Sequence, residues 1–353
     1  MKQKLKATER SRLIIVLSLA ICFSFVTVDS FALASNSESI TTDTLLTSDT
    51  LLTSGQVYQF PNNKKFIYEK PKPFQFLQHA PKNFYINLNE TFKIKTLWKI
   101  GALAAVTGIL VAYDQPIVDE VKQVGQRLNL SDTEGLRSYF NFSGLSMRGP
   151  TNVSSGIYFL GDGWTHTFIA ASFLGYGLTF HNNRALQTAS QLIEGFLTTG
   201  FNVQLLKHIS GRETPNGATV PGGVWRLFPD PSQYSKNQPR YGAYPSGHMA
   251  TSMMTVTVIA ENYPGNKYIR PIGYTLMTLL AFQMMNNGVH WASDYPLGTA
   301  LGYTFGKIAV NRGRYEVKEN QSSMNEQKPS KSFILTPVIL GQNSLGLGIQ
   351  YTF

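Results

Sequence analysis

The sequence predicts a mostly helical protein, a helical bundle with a β-hairpin at its C-terminus. Three observations lead there. Between about Phe92 and Val310 the apolar residues fall into helical stretches opened by recognisable start signals, with no long strand pattern between them. At the C-terminus, Leu345, Leu347, Ile349, Tyr351 and Phe353 alternate with Gly346, Gly348, Gln350 and Thr352, the period of a strand. The first residues fit neither pattern. They have a basic start and a short apolar run, the composition of a segment removed on export.

Taken in order, Lys2, Lys4, Lys6, Arg10 and Arg12 precede an almost wholly apolar stretch from Leu13 to Val28. Ala32-Leu33-Ala34 then offers small residues before Ser35. Residues 1–34 read as a signal peptide, which places the mature protein in a periplasm or cell envelope. An uncleaved anchor is the alternative, although an apolar run of about 16 residues is short for a span. Cys22, the one cysteine, lies in this segment after Ile21, so a lipoprotein site does not fit. Cleavage would leave no thiol or disulfide. Residues 35–90 follow as a flexible linker and extended arm. The repeat "TDTLLTSDTLLTSG" is too polar to bury a core, and 61–90 is rich in Pro, Lys, Asn and aromatic residues.

The helical domain spans 91–311, with helices expected at 93–113, 116–129, 133–141, 164–180, 185–209, 247–261, 268–286 and 296–311. Asp114 or Gln115 before Pro116, Ser131 with Glu134 as a capping box, and Tyr295 before Pro296 mark starts. The Gly- and Pro-rich stretch 211–245 is a long loop, of a length that usually serves function or is disordered. A polar linker, 312–332, leads to the hairpin, 333–353, which turns around Asn343. Its final aromatic residue is similar to the C-terminal signal of outer-membrane barrel proteins, an argument for outer-membrane association. Two strands cannot make a barrel, so a hairpin packed on the helical domain is the plainer reading.

The uncharged runs 101–113, 272–287 and 295–306 each fall short of the roughly 18–20 residues of a membrane span, and mean hydropathy is slightly negative. The expectation is a soluble bundle of buried helices resting on a membrane surface, with a true multi-span protein as the alternative. The chain carries 31 Lys+Arg against 21 Asp+Glu, a balance that suits anionic lipid or phosphorylated substrates. There is no arginine-rich arm or zinc-finger spacing, so nucleic acid is not an expected partner.

Three stretches carry chemistry. In "YPSGHM" (244–249), Ser246 and Gly247 stand at the start of an apolar helix, where unpaired N–H groups favour phosphate. His248 can hand a proton to a departing oxygen. The alternative is an ordinary Ser cap with a surface histidine. In "GVHWASDYPLG" (288–298), His290 and Asp294 are one helical turn apart. A carboxylate on one imidazole nitrogen fixes the tautomer and frees the other as a nucleophile. Asp294 could equally cap the helix from Pro296. In "LLKHISGRETP" (205–215), Lys207 can neutralise a phosphate oxygen or simply answer the helix dipole. His166, His248 and His290 lack tight ligand spacing, so no metal site is expected.

Together the three stretches resemble the type 2 phosphatidic acid phosphatase (PAP2) superfamily, which shares its site with vanadium haloperoxidases. Its motifs run Lys, six residues, Arg-Pro; then Pro-Ser-Gly-His; then Ser-Arg, five residues, His, three residues, Asp. Here they find Lys207 and Pro215, then Pro245-Ser246-Gly247-His248, then His290 and Asp294. The resemblance covers roughly residues 95–310. It implies a helical fold and a metal-independent phosphatase acting on a phosphate monoester or diphosphate, chiefly of a lipid, without cofactor. His290 would form a phosphohistidine, Asp294 would orient it, and His248 would protonate the leaving group. Lys207, Ser246 and Gly247 would hold the phosphate, with Arg212 as helper. Two family arginines are replaced, by Thr214 and Met284. Losing two charge-assisted contacts would cost about 3–6 kcal/mol. Arg212, Arg226 or Arg240 would have to supply cations, and full haloperoxidase chemistry is not expected. The rival reading is a weak or inactive envelope binding protein on the same fold.

Overall fold

The structure, a computed structural model, describes residues 55–61, 63–91, 93–142 and 145–317, together with two strands near the C-terminus. The expected signal peptide and most of the expected linkers at 35–60 and 312–332 lie outside the described residues. The chain opens with β1 (Gly55–Gln59) and β2 (Lys65–Glu69), an antiparallel pair with Val57 opposite Ile67. Next come α1 (Gln75–Thr91), α2 (Ile94–Arg127), β3 (Leu136–Phe142) and β4 (Leu145–Pro150). The helices α3 (Val153–Phe159), α4 (Gly163–Thr179), α5 (Asn183–Ser210), α6 (Pro231–Lys236), α7 (Gly247–Asn262), α8 (Ile269–Asn286) and α9 (Tyr295–Arg312) follow. β5 (Tyr315–Val317) gives the first sheet the order β1-β2-β5. The C-terminal unit holds the antiparallel hairpin of β6 (Ser332–Ile339) and β7 (Leu345–Thr352), with Leu335 opposite Ile349.

Several expectations give way. Residues 61–90 are not an extended arm: β2 and α1 occupy them, and β1 takes the end of the expected linker. Buried Glu194 of α5 binds His79 Nδ1 (3.1 Å) and Asn83 of α1, which holds α1 helical despite Pro81. Residues 133–141 are not a helix. Gly135 takes φ +53°, which ends any capping box from Ser131, and the chain continues as β3 paired with β4. Pro116 does not start a new helix; α2 runs through it for 34 residues. Proline removes one backbone hydrogen bond there. However, Leu110, Ile117, Val118 and Val121 form one buried stripe on both sides of it, and that burial keeps the two halves in register.

α2 bears on the membrane expectation. From Thr96 to Arg127 it is long and apolar enough to cross a membrane, and most of its apolar window is not covered by protein. No other helix among the described residues passes that test.

The core lies between α2, α7 and α8, where Met249, Met253, Met277, Leu280 and Met284 meet Trp291 and Tyr295. α9 packs closely along α7 because its facing positions are glycines. A Cβ on Gly298 would stand 2.5 Å from the Ser246 carbonyl oxygen, and one on Gly302 would stand 2.0 Å from that of Ala250. Only hydrogen fits between the backbones. This contact sets the start of α9, and the turn before it, against the N-terminus of α7.

Candidate active site

α7 starts at Gly247 because Ser246 caps it: the Ser246 backbone is extended and its side chain accepts from Met249 N at 3.4 Å. The N–H groups of Gly247 and His248 have no hydrogen-bond partner among the described residues. They lie at the positive end of the helix dipole. Ser246 N donates to the Asp294 carbonyl (2.9 Å), which joins the second motif to the third.

The third motif is shaped by the end of α8. Gly288 takes φ +65°, and the N–H groups of Gly288 and Val289 close onto the carbonyls of Met285 and Met284. The chain then descends through His290 and Trp291 into a short 3₁₀ turn, Ala292–Asp294. Trp291 Nε1 donates to the Glu213 carbonyl (2.7 Å), anchoring this segment to the loop after α5. Asp294 stands at the N-cap position of α9, but its side chain makes no cap hydrogen bond there. Its Oδ2 accepts from Trp291 N (2.8 Å) and faces His290 Nδ1 at 3.3 Å. With Nδ1 turned to the carboxylate, Nε2 is the nitrogen left for chemistry. The His248 and His290 rings stand 6.3 Å apart, nearly edge to face.

Lys207 ends α5 beside this pair. The four groups Lys207, His248, His290 and Asp294 share one electrostatic field. Burial pushes Lys207 down to about 8, with Asp294 opposing. Burial, and then the charges of His290 and Lys207, push His248 down to about 3. Burial also lowers His290, against its hydrogen bond to Asp294. For Asp294, burial acts upward but Arg212 and His290 outweigh it, and the carboxyl ends below its ordinary value.

Arg212 is fully buried and has protein partners at both ends of its guanidinium. Gly211 ends α5 with φ +52°, a position where a Cβ would strike the Arg226 carbonyl, and turns Arg212 inward. Its Nη1 donates to Asp294 Oδ1 (2.7 Å) and Ser293 Oγ (2.5 Å). Its Nη2 donates to Asp114 Oδ2 (2.6 Å) and the Gly222 carbonyl (3.2 Å). The rings of Trp225 and Trp291 lie 4.6 and 5.4 Å from the guanidinium carbon, and the residue has no solvent exposure. Ser246 is likewise engaged by protein: its hydroxyl is fully buried, caps Met249 N and turns to Met284 Sδ at 3.9 Å. Arg226 pairs with Glu213 at 2.7 Å, and Arg240 sits exposed in a 3₁₀ turn. Where the motifs of the resembling family place arginines, Thr214 caps a 3₁₀ turn through Gly217 N, and Met284 is wholly buried. The loop 211–245 is ordered around Arg212, with Arg212 bridging to Trp225 and Gly242.

Sequence reasoning missed Asp114. Its one signal is a carboxylate inside an apolar helix, which was read as a helix start. Asp114 is in fact fully buried on the α2 stripe and also accepts from Ser293 N (3.0 Å) and Oγ (2.5 Å).

Residues 188–318 match the family model of the PAP2 superfamily. The family is of phosphatase type, and the matched segment contains Lys207, His248, His290 and Asp294. The chain is also similar to a solved structure described as the first transmembrane PAP2 type phosphatidylglycerolphosphate phosphatase, from Bacillus subtilis. Identity is 17%, over 68% of this chain and 95% of that one, at a TM-score of 0.33, too low to bear on mechanism. A comparison with curated proteins finds no match.

Proposed function

We propose that this PAP2 protein is a metal-independent phosphatase that hydrolyses a phosphate monoester or diphosphate of a lipid. The observation that carries this reading is His290 held through Nδ1 by a buried, Arg212-paired Asp294, with His248 facing it. His290 Nε2 attacks phosphorus and forms a phosphohistidine, and Asp294 stabilises the charge that develops on the ring. His248 protonates the leaving oxygen, then activates the water that releases phosphate. Lys207 and the free amides of Gly247 and His248 hold the phosphate oxygens. A Cβ at Gly247 would meet one atom, Val203 Cγ1, at an ordinary 3.5 Å. Packing does not demand glycine there, and close approach of an anion supplies a reason for it. The test is rapid alkaline quench with ³²P-labelled phosphatidic acid in excess EDTA. An acid-labile, base-stable phosphoprotein is expected; its absence during turnover, or loss of turnover with EDTA, would refute the mechanism.

His248 is neutral in the resting site, so its proton must arrive with the substrate. A phosphate monoester loses its second proton near about pH 6, so kcat/KM is expected to fall as pH rises through that range. A second fall is expected as pH passes about 8, where Lys207 loses its charge. Lys207→Met should remove that upper limb. A profile that climbs from pH 6 to 9 would contradict these assignments.

The lipid character of the substrate is argued from the surface. α4 has no charged side chain, and Phe168, Leu174 and Leu178 on it are exposed. Ile109 on α2, Phe201 on α5, and Ile272 and Leu279 on α8 extend the exposed apolar surface. Such a surface marks contact with lipid, with α2 entering the bilayer. Export follows from the basic start, apolar stretch and Ala32-Leu33-Ala34. The protein is expected in the membrane fraction after carbonate washing, with Ser35 as its first residue. Recovery in the wash, or an intact Met1, would count against these placements.

A second reading, a binding protein on the same fold, draws on Thr214 and Met284 filling the arginine positions as structural residues. It predicts no hydrolysis by the native chain and a gain in the Thr214→Arg, Met284→Arg double variant.

A further inference from the structure

His248 is seated by a part of the chain that carries none of the three motifs and precedes the matched residues 188–318. α3 and α4 meet in a tight corner, and that corner lies against the imidazole. The buried Tyr158 ring stands 4.9 Å from the His248 ring, tilted by 47°. The Tyr158 hydroxyl is tethered to Glu134 Oε1 at 3.4 Å. Gly161 lies beneath: a Cβ built on it would stand 2.7 Å from both Cβ and Cδ2 of His248, and 2.7 Å from Leu280 Cδ2. Its φ is not in the left-handed region, so glycine is needed there for space rather than conformation. One helical turn into α4, His166 Nδ1 pairs with Thr255 Oγ1 of α7 at 2.9 Å and pins the corner to the helix that carries His248.

We propose that Tyr158 and Gly161 are positioning residues for the proton donor, fixing the His248 ring so that its edge meets the leaving oxygen. This rests on the reading of His248 as general acid. A histidine side chain has two torsions, and contact on the ring by Tyr158 and at Cβ and Cδ2 by Gly161 leaves it one setting. A shift of about 1 Å in a reacting group costs on the order of 10²-fold in rate. The cost falls on the step that needs the proton. An alkoxide leaving group is strongly basic and departs only when protonated. A nitrophenolate departs largely unaided, so the penalty depends on the leaving group.

The experiment uses the full chain in detergent and measures single-turnover release of the leaving group. The substrates are dioctanoyl phosphatidic acid and p-nitrophenyl phosphate. Gly161→Ala is expected to slow the alkyl substrate by roughly 30–100-fold and the aryl substrate by less than about 3-fold. Tyr158→Leu should show the same selectivity, and Tyr158→Phe, which keeps the ring, should stay close to the native protein. His248→Ala is the reference and should be selective in the same sense, more strongly. If His248→Ala is selective but Tyr158→Leu and Gly161→Ala slow both substrates equally, or neither, the positioning role is wrong. If His248→Ala is itself unselective, the acid assignment falls and this inference with it. Should Gly161→Ala fail to fold, the Leu and Phe variants of Tyr158 decide alone.

Discussion

His290→Ala is expected to remove turnover, lowering kcat by roughly 10⁴-fold or more, because the proposed covalent intermediate forms on this ring. His290 is buried among packed residues, and alanine there leaves a small polar cavity rather than an unpaired charge. The variant should fold, and thermal unfolding checks this. The phosphoprotein should disappear with His290→Ala. It should persist, formed more slowly, with His248→Ala when the leaving group is p-nitrophenolate. That contrast separates nucleophile from acid. General acid catalysis contributes typically about 10²–10⁴-fold, so loss of His248 should hurt less than loss of His290. Retention of the phosphoprotein in His290→Ala would move the nucleophile elsewhere and end this mechanism.

The second large effect concerns Arg212. It pairs with two buried carboxylates, Asp114 and Asp294, and holds them together across Ser293. Arg212→Ala strands both, and breaking such a buried pair costs about 3–5 kcal/mol. Lysine carries the charge but lacks the fork that reaches Asp294, Ser293 and Asp114 together. Arg212→Lys is therefore expected to fold with reduced stability and to lose roughly 10–100-fold in kcat with KM little changed, since its effect passes through Asp294 to His290. Asp114→Asn should act in the same direction, more weakly. The opposite split, a large rise in KM with kcat kept, would return Arg212 to the phosphate-binding role that its place in the first motif implies. Kinetics of the two variants on one soluble phosphate ester give the answer.

The two effects have the same origin in the fold. α9 meets α7 through glycines, so Ser246 and Asp294 come within hydrogen-bond distance. Gly211 turns Arg212 beneath both. α2 runs through Pro116 and delivers Asp114 from the far side. His248 and His290 lie against this assembly, and the rings of Trp225 and Trp291 cover the Arg212 guanidinium. The arginine that resembles a phosphate ligand in the sequence is thereby turned into a support for the carboxylate.

What the sequence by itself determined is what depends on neighbours a few residues away. Apolar periodicity located α4, α5, α7, α8 and α9, because a helix face is written every three to four residues. The alternation at 345–352 located the terminal hairpin for the same kind of reason. His290 and Asp294 could be paired at sight, since one turn of chain separates them. The order of three motifs placed Lys207, His248 and His290 in one family pattern, and the structure sets them in one electrostatic field. Tertiary structure alone decided the rest. Asp114 and Arg212 are 98 residues apart, and nothing local tells a helix start from the buried partner of a distant guanidinium. Ser246 could donate to phosphate or cap its helix, and the burial supplied by Met284 and α9 decides for the cap. Residues 136–142 carry a passable helix pattern, but the hydrogen bonds that matter come from 145–150. Tyr158 and Gly161 bear no motif, and their meaning lies in what packs against them. Burial and long-range partners choose among the roles a residue's chemistry allows, and both are properties of the folded chain.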